Sequence, residues 1–277
     1  RPISTGSKWS EITSKLGLSP CFDYWSDARA NHDFQVRGPT YLYDRMKIPA
    51  GEGVCPLLWF DIFSVPESYG TRVDHISNEG ACAERVKQLT NSANPPFLFI
   101  TAIQVPGTPM LYLVMYWAID PSTLNPSTEK PNDPSLESFY NVMRQYIKLP
   151  NQSEKVVDSY DDDDEEEAQE EIEDSFPFQN SRFKLIPRIM NGPWLVKRAV
   201  GSVPCLLGTK VTTRYYRGEN YMETNVEVGS SIVAQRIIGC CRGSSAYIDV
   251  QLGIVLQGEN ALELPEKLLG AIQFKWL

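Results

Sequence analysis

Apolar residues along this chain fall into short dense runs more often than into long helical stripes. "PLLWFDIFSV" (56–65) is enriched in aromatic and branched residues and reads as a strand. "FLFITAIQVPGTPMLYLVMYWAI" (97–119) carries no charge in 23 residues, enough to span a bilayer. "PGTP" lies at its middle, however, where Pro removes backbone bonds and Gly favours a turn, so the run predicts a hairpin buried in a core. "FQVRGPTYLYDRMKIPA" (34–50) predicts two strand pieces broken at Gly38-Pro39. Helical spacing is confined to a few places. In "PSLESFYNVMRQYIKL" (134–149), Leu136, Phe139, Val142, Met143 and Tyr146 share one face behind a Ser135 cap. "EGACAERVKQLT" (79–90) and a stretch from Ser7 to Leu16 also have helical character. "GSSIVAQRIIGCCRG" (229–243) predicts a helix capped by Ser230 or Ser231 and ended by Gly243. "ELPEKLLG" (263–270) predicts a short helix, with Pro near its start and Gly at its close.

Strands follow through "FKLIPRIM", "PCLLGTKVTTRYY", "YMETNVEV", "YIDVQLGIVLQG" and "AIQFKWL". Strands with a handful of helices and no regular βαβ alternation predict an α+β domain, a curved antiparallel sheet packed with several helices. At 277 residues the chain is long enough to bury a sizeable core, and the reading is one domain over 1–277. Residue 1 is Arg, not Met, so the chain is read as a processed or excised piece.

Charge changes the picture in one respect. The formal net charge is -9, but "DSYDDDDEEEAQEEIED" (158–174) holds 12 acids and no base. Without it, 26 bases face 23 acids, a body of about +3. A block of like charge repels itself and has little to bury, so residues 150–178 read as a disordered acidic insertion. Ser159 ahead of Asp161 and Asp162 suits an acid-directed kinase, and the carboxylates suit weak calcium binding; a solvated spacer is the plainer reading.

Candidate chemistry is sparse. There is no G-x-S-x-G, no phosphate loop, no G-x-G-x-x-G and no H-E-x-x-H. Six cysteines lie at 21, 55, 82, 205, 240 and 241 without a C-x-x-C, and read as reduced buried thiols. Two histidines, His32 and His75, predict no metal site, and no cofactor is expected. Six thiols and two imidazoles leave a Cys- or Ser-dependent hydrolase as a third reading.

The informative stretch is basic. From Arg182 to Gly218 there is no Asp or Glu, against eight Lys or Arg. An extended "SRFKLIPRIM" places Arg182, Lys184 and Arg188 on the face opposite Phe183, Leu185 and Ile189, with Pro187 marking an edge or bulge. Lys197 and Arg198 follow Trp194, and Arg214 and Arg217 flank Tyr215-Tyr216. Bases interleaved with aromatics fit an anionic surface with an apolar boundary, such as a lipid headgroup layer. An ordinary solvated strand face is the competing reading. Nucleic acid is not expected, because the body is too near neutral.

"RFKLIPRIMNGPWLVKRAVGSVPCLLGTKVTTRYYRGENYMETNVEVGSS" and "LPEKLLGAIQF", with the two blocks upstream at 34–50 and 100–117, resemble the C-terminal domain of the plant Enhanced Disease Resistance Two proteins. The resemblance runs from about residue 34 to 277. Members often carry pleckstrin-homology and START lipid-transfer domains upstream and restrain defence-linked cell death. It therefore implies lipid binding, membrane-associated signalling and a START-like or half-barrel sheet, and it carries over no catalytic residue.

The leading expectation is a non-enzymatic module that binds lipid or a membrane surface, intracellular, either cytoplasmic or peripheral on membranes. Its contacts are expected at Arg182, Lys184, Arg188, Trp194, Lys197, Arg198, Arg214, Tyr215 and Arg217, beside an enclosed acyl or sterol pocket. The alternative is a protein-interaction or assembly subunit whose basic face meets an acidic partner.

Overall fold

In a computed structural model the described residues are 25–31, 33–65, 75–108, 110–125, 133–149, 176–242 and 248–276. They form twelve strands and six helices. β1 (Trp25–Asp27) is followed by β2 (Gln35–Arg37), a helical turn α1 (Tyr41–Asp44) and β3 (Lys47–Pro49). β4 (Leu57–Val65), α2 (Gly80–Thr90), β5 (Phe97–Val105), β6 (Met110–Ile119) and α3 (Pro134–Tyr146) come next. α4 (Pro177–Arg182) runs directly into β7 (Phe183–Asn191), then α5 (Trp194–Val200), β8 (Cys205–Leu206), β9 (Thr212–Arg217) and β10 (Tyr221–Glu227). α6 (Ile232–Arg242), β11 (Ile248–Leu256) and β12 (Leu268–Trp276) complete the chain.

The α+β class holds, with the strands divided between two five-stranded sheets. The first has the order β1-β12-β11-β7-β8 and the second β4-β6-β5-β10-β9, while β2 and β3 pair separately. Their inner faces share one core: Phe99, Met115, Trp117 and Met222 of the second sheet meet Phe183, Ile254, Ile272 and Phe274 of the first. α3 adds Phe139, Val142, Met143 and Tyr146 to it. The outer face of the second sheet is covered by Cys82, Val86 and Leu89 of α2. The outer face of the first carries Phe34, Val36, Ile186, Val255 and Leu268. Because β5 is buried at every residue, its sequence is apolar throughout instead of alternating.

The hairpin expected over 97–119 is present, paired from Phe97↔Ile119 to Val105↔Leu111. The sheet is not wholly antiparallel: β10 joins β5 in parallel, Tyr221↔Leu98 through Glu227↔Gln104. α3 is capped by Asp133, which accepts from the Ser135 amide, with Pro134 inside the first turn, so the cap lies two residues before the expected Ser135. The second strand piece expected after Gly38-Pro39 contains α1 before β3 begins.

The helix expected at 263–270 is absent. A single 3-10 turn occupies Ala261–Glu263, and Leu268 and Leu269 belong to β12, where their carbonyls accept from Val54 and Cys55 at 3.0 and 2.7 Å. Sheet pairing with β11 outweighs the weak local helix signal. The Ser7–Leu16 helix and residues 150–175 of the acidic insertion lie outside the described residues. The insertion's far boundary moves inward, because Phe176 is buried in the core and Pro177 opens α4.

Gly270 permits a close approach in the core. A Cβ there would lie 2.5 Å from the Trp117 ring. Gly270→Ala must therefore displace a large, fully buried indole and is expected to cost about 1–3 kcal/mol, read as a lower urea midpoint. An unchanged midpoint would show that Trp117 repacks freely.

Candidate functional site

Most of the expected cationic face is folded inward. Arg182 ends α4 instead of entering the strand, and its Nη1 donates to Glu263 Oε2 at 2.8 Å and to the Gln257 carbonyl at 3.1 Å. Lys184 Nζ donates to both carboxylate oxygens of Glu266, at 2.7 and 2.8 Å. Burial pulls this ammonium below its ordinary pKa, against the raising effect of Glu266. The predicted alternation along β7 is real, with Phe183 and Leu185 in the inter-sheet core and Ile186 on the outer face. That outer face is not open to solvent, however, since Phe34, Val36 and the segment carrying Glu266 cover it. Arg188 lies half-buried against the Phe34 ring, 3.1 Å from Asp33. On β9, Arg214 pairs with Glu227 at 3.0 Å, and Tyr215 turns into the core and donates to Asn180 Oδ1 at 2.9 Å. Arg182, Lys184, Arg214 and Tyr215 thus hold the fold together and present nothing to a surface.

Three of the nine expected residues remain together and outside. Trp194, Lys197 and Arg198 lie on α5, a helix too short to register in the sequence pattern. Pro193 precedes it and Gly201, at φ 64°, ends it; that Pro-to-Gly frame was the available signal. Val196 anchors α5 in the protein, while Trp194 is 69% exposed and Leu195 stands beside it. Arg198 lies over the Trp194 ring at 5.3 Å, and Lys197 donates to the Met190 carbonyl at 3.2 Å. A third expected base with an accessible head, Arg217, sits elsewhere, at the end of β9.

α5 packs against α6, and the two helices carry the same device. In α5 it is Trp194-Leu195 followed by Arg198; in α6 it is Ile232-Val233 followed by Arg236. Positions i, i+1 and i+4 share one helical face, so each helix sets two large apolar side chains beside a guanidinium. Ile232 is 68% exposed, and Val233, Arg236, Met190 and Val203 are exposed as well. Neither helix contains an Asp or Glu. Ile232, Val233 and Arg236 were missed because each reads as an ordinary position in an amphipathic helix; only the repeat of the α5 spacing marks them.

Arg29, Arg37, Arg85, Arg182, Arg188 and Arg214 all lie within pairing distance of a carboxylate. Arg198 and Arg236 have no such partner among the described residues.

Among the described residues, the space between the two sheets is filled. Trp117, Tyr146, Phe99, Phe183 and Met115 occupy it at full burial. No described helix is long and apolar enough to cross a membrane.

A separate polar cluster lies on the outer face of β10. His75 accepts from or donates to the Tyr221 hydroxyl at 2.9 Å through Nε2 and stacks on Tyr216, with Nδ1 2.9 Å from the Asn78 amide. Neither ring nitrogen meets a Cys or Ser among these contacts, and His32 lies outside the described residues. Burial pushes the Cys82 thiol up to about 12 and raises those of Cys55 and Cys205. Such thiols stay protonated and are poor nucleophiles at neutral pH.

Glu223 in this cluster is buried and accepts from the Ile76 and Ser77 amides at 3.1 and 2.9 Å. Burial outweighs those bonds and lifts its carboxyl from 4.5 to about 7. Because the folded value exceeds the unfolded one, the protonated carboxyl favours the fold. That contribution is complete below pH 4.5 and lost as the pH rises through about 7. His75, held below its ordinary value by burial, acts with the opposite sign as pH falls. Wild type is therefore expected to lose roughly 3 kcal/mol relative to Glu223→Gln between pH 4.5 and 7, measured by urea unfolding. A pH-independent difference would contradict this.

The family described as Protein ENHANCED DISEASE RESISTANCE 2, C-terminal, matches residues 25–277. A curated Arabidopsis thaliana protein named Protein ENHANCED DISEASE RESISTANCE 2-like is 31% identical over 242 residues. The alignment covers 87% of this chain and 27% of that protein, so the chain spans about a quarter of its length. No solved structure matches. With every described strand and helix inside the matched region, this chain belongs to the Enhanced Disease Resistance 2 C-terminal family.

Proposed function

We propose that this domain is a non-enzymatic module that docks on anionic membrane surfaces through α5 and α6. The observation that carries the reading is the repeated pair of exposed apolar residues with an arginine that meets no described carboxylate, Trp194-Leu195/Arg198 and Ile232-Val233/Arg236. An indole and branched aliphatic side chains enter the headgroup boundary, where apolar area leaves water and the tryptophan N–H still finds a partner. The arginines and Lys197 then lie at the level of the lipid phosphates, each contributing about 1 kcal/mol. Attraction of this size gives reversible, peripheral attachment suited to a regulatory part.

The test is co-sedimentation of the chain with vesicles of phosphatidylcholine alone and with added phosphatidylserine. Retention that depends on the anionic lipid and weakens as salt shortens the Debye length supports the reading. Equal retention on neutral vesicles removes its electrostatic half, and no retention on either removes all of it.

A further inference from the structure

A second set of cations without a carboxylate partner among the described residues lies away from α5 and α6. A cleft of about 390 Å³ is lined by Leu124, Arg144, Ile147, Lys148, Leu149 and Arg217. Arg217 ends β9, whereas Thr212 at the start of the same strand bonds to Ser230, just ahead of α6. The five-residue rise along β9 separates the two by about 17 Å. The cleft is thus a site of its own.

Its two guanidinium groups are held in place by neutral oxygens. Arg144 donates through Nε and Nη2 to the Thr123 carbonyl, at 3.2 and 2.9 Å, and through Nη1 to Asn141 Oδ1 at 3.2 Å. Arg217 donates through Nη1 to the Gly218 and Tyr221 carbonyls at 2.9 and 2.8 Å. Its head lies 4.4 Å from the Phe97 ring centroid. The Nε and Nη2 of Arg217 and the exposed Lys148 ammonium bond to no described acceptor. No carboxylate among the described residues pairs with any of the three. Carbonyl tethers orient a guanidinium without cancelling its charge, so the ordering cost of the donors is met before a ligand arrives.

We infer that this cleft binds a phosphate ester with an apolar portion. Three cations and no acid in the lining suit a phosphoryl dianion, and the Nε–Nη2 edge that Arg217 leaves open matches two of its oxygens as a forked pair. Leu124, Ile147 and Leu149 supply a wall for the ester's apolar part. The same chemistry is offered by a soluble phosphorylated metabolite and by a lipid headgroup.

Phenyl phosphate and inorganic phosphate titrated into the chain by calorimetry test the chemistry, and vesicles of phosphatidic acid in phosphatidylcholine test the source. Phenyl phosphate is expected to bind saturably, and Arg144→Gln with Arg217→Gln to weaken it ~10-fold or more. Lys148→Gln, a change at an exposed head, is expected to weaken it ~3-fold and keeps the test open if the double variant does not fold. Arg198→Glu with Arg236→Glu leaves the phenyl phosphate affinity unchanged, which separates this site from the membrane platform. Retention on phosphatidic acid vesicles that falls in the cleft variants while α5 and α6 are intact assigns the ligand to a headgroup; binding of the free ester with that retention unchanged by the cleft variants assigns it to a soluble ester. Inorganic phosphate binding as tightly as phenyl phosphate overturns the apolar half. Absence of saturable binding in both arms, or binding unmoved by the cleft variants, overturns the whole.

Discussion

Arg198→Glu combined with Arg236→Glu is expected to lower affinity for phosphatidylserine-containing vesicles by about three orders of magnitude at low salt. Each reversal removes about 1 kcal/mol of attraction and adds a similar repulsion, so two sites amount to roughly 4 kcal/mol. Both heads are exposed and neither pairs with a described carboxylate, so folding should be untouched and the melting temperature unmoved. Trp194→Ser with Ile232→Ser removes the apolar half instead, up to about 2 kcal/mol for each side chain. Its signature differs: the loss extends to neutral vesicles and persists in high salt. If the charge-reversed protein sediments with anionic vesicles as wild type does, docking through α5 and α6 is wrong.

The second large effect lies in the interior. Glu266→Ala is expected to destabilise the domain by about 3–5 kcal/mol, a large fraction of a typical folding free energy of roughly 5–15 kcal/mol. The side chain is buried and accepts from Lys184 Nζ at 2.7 and 2.8 Å, from the Arg37 amide at 3.0 Å and from the Gly258 amide at 3.1 Å. Removing it strands the Lys184 ammonium in a covered site with two backbone donors unmet. Lys184→Met with Glu266→Gln removes the charges together while keeping an acceptor, and should recover most of the loss. Urea unfolding of the two variants decides the matter; a cost below about 1 kcal/mol for Glu266→Ala would mean that water reaches Lys184 in the fold.

These two experiments divide what was a single basic stretch when read along the chain. Lys184 and Arg198 look alike in sequence, since both are bases beside apolar residues in a run free of acids. Their acidic partners decide the difference, and those partners are remote: Glu266 is 82 residues from Lys184, and Glu263 is 81 from Arg182. No local pattern announces a pair of that separation. α5 was equally hidden, because seven residues are too few to establish a helical period, yet its exposed apolar face decides the proposed function.

The amino-acid order by itself determined the places where local chemistry is decisive. The charge-free run around "PGTP" could only be a turn between two buried strands, and the apolar spacing from Leu136 to Tyr146 required a helix with one face in a core. The alternation along β7 was equally legible, because side chains of an extended strand point to opposite sides whatever surrounds them. Tertiary structure alone decided what lay on each side. It set β10 parallel to β5, drew Leu268 and Leu269 into a strand, covered the outer face of β7, and left Trp194, Leu195, Ile232 and Val233 exposed. The physical reason is range: turn and helix preferences act over a few residues, whereas burial and neutralisation of a charge depend on whichever distant segment comes to rest against it.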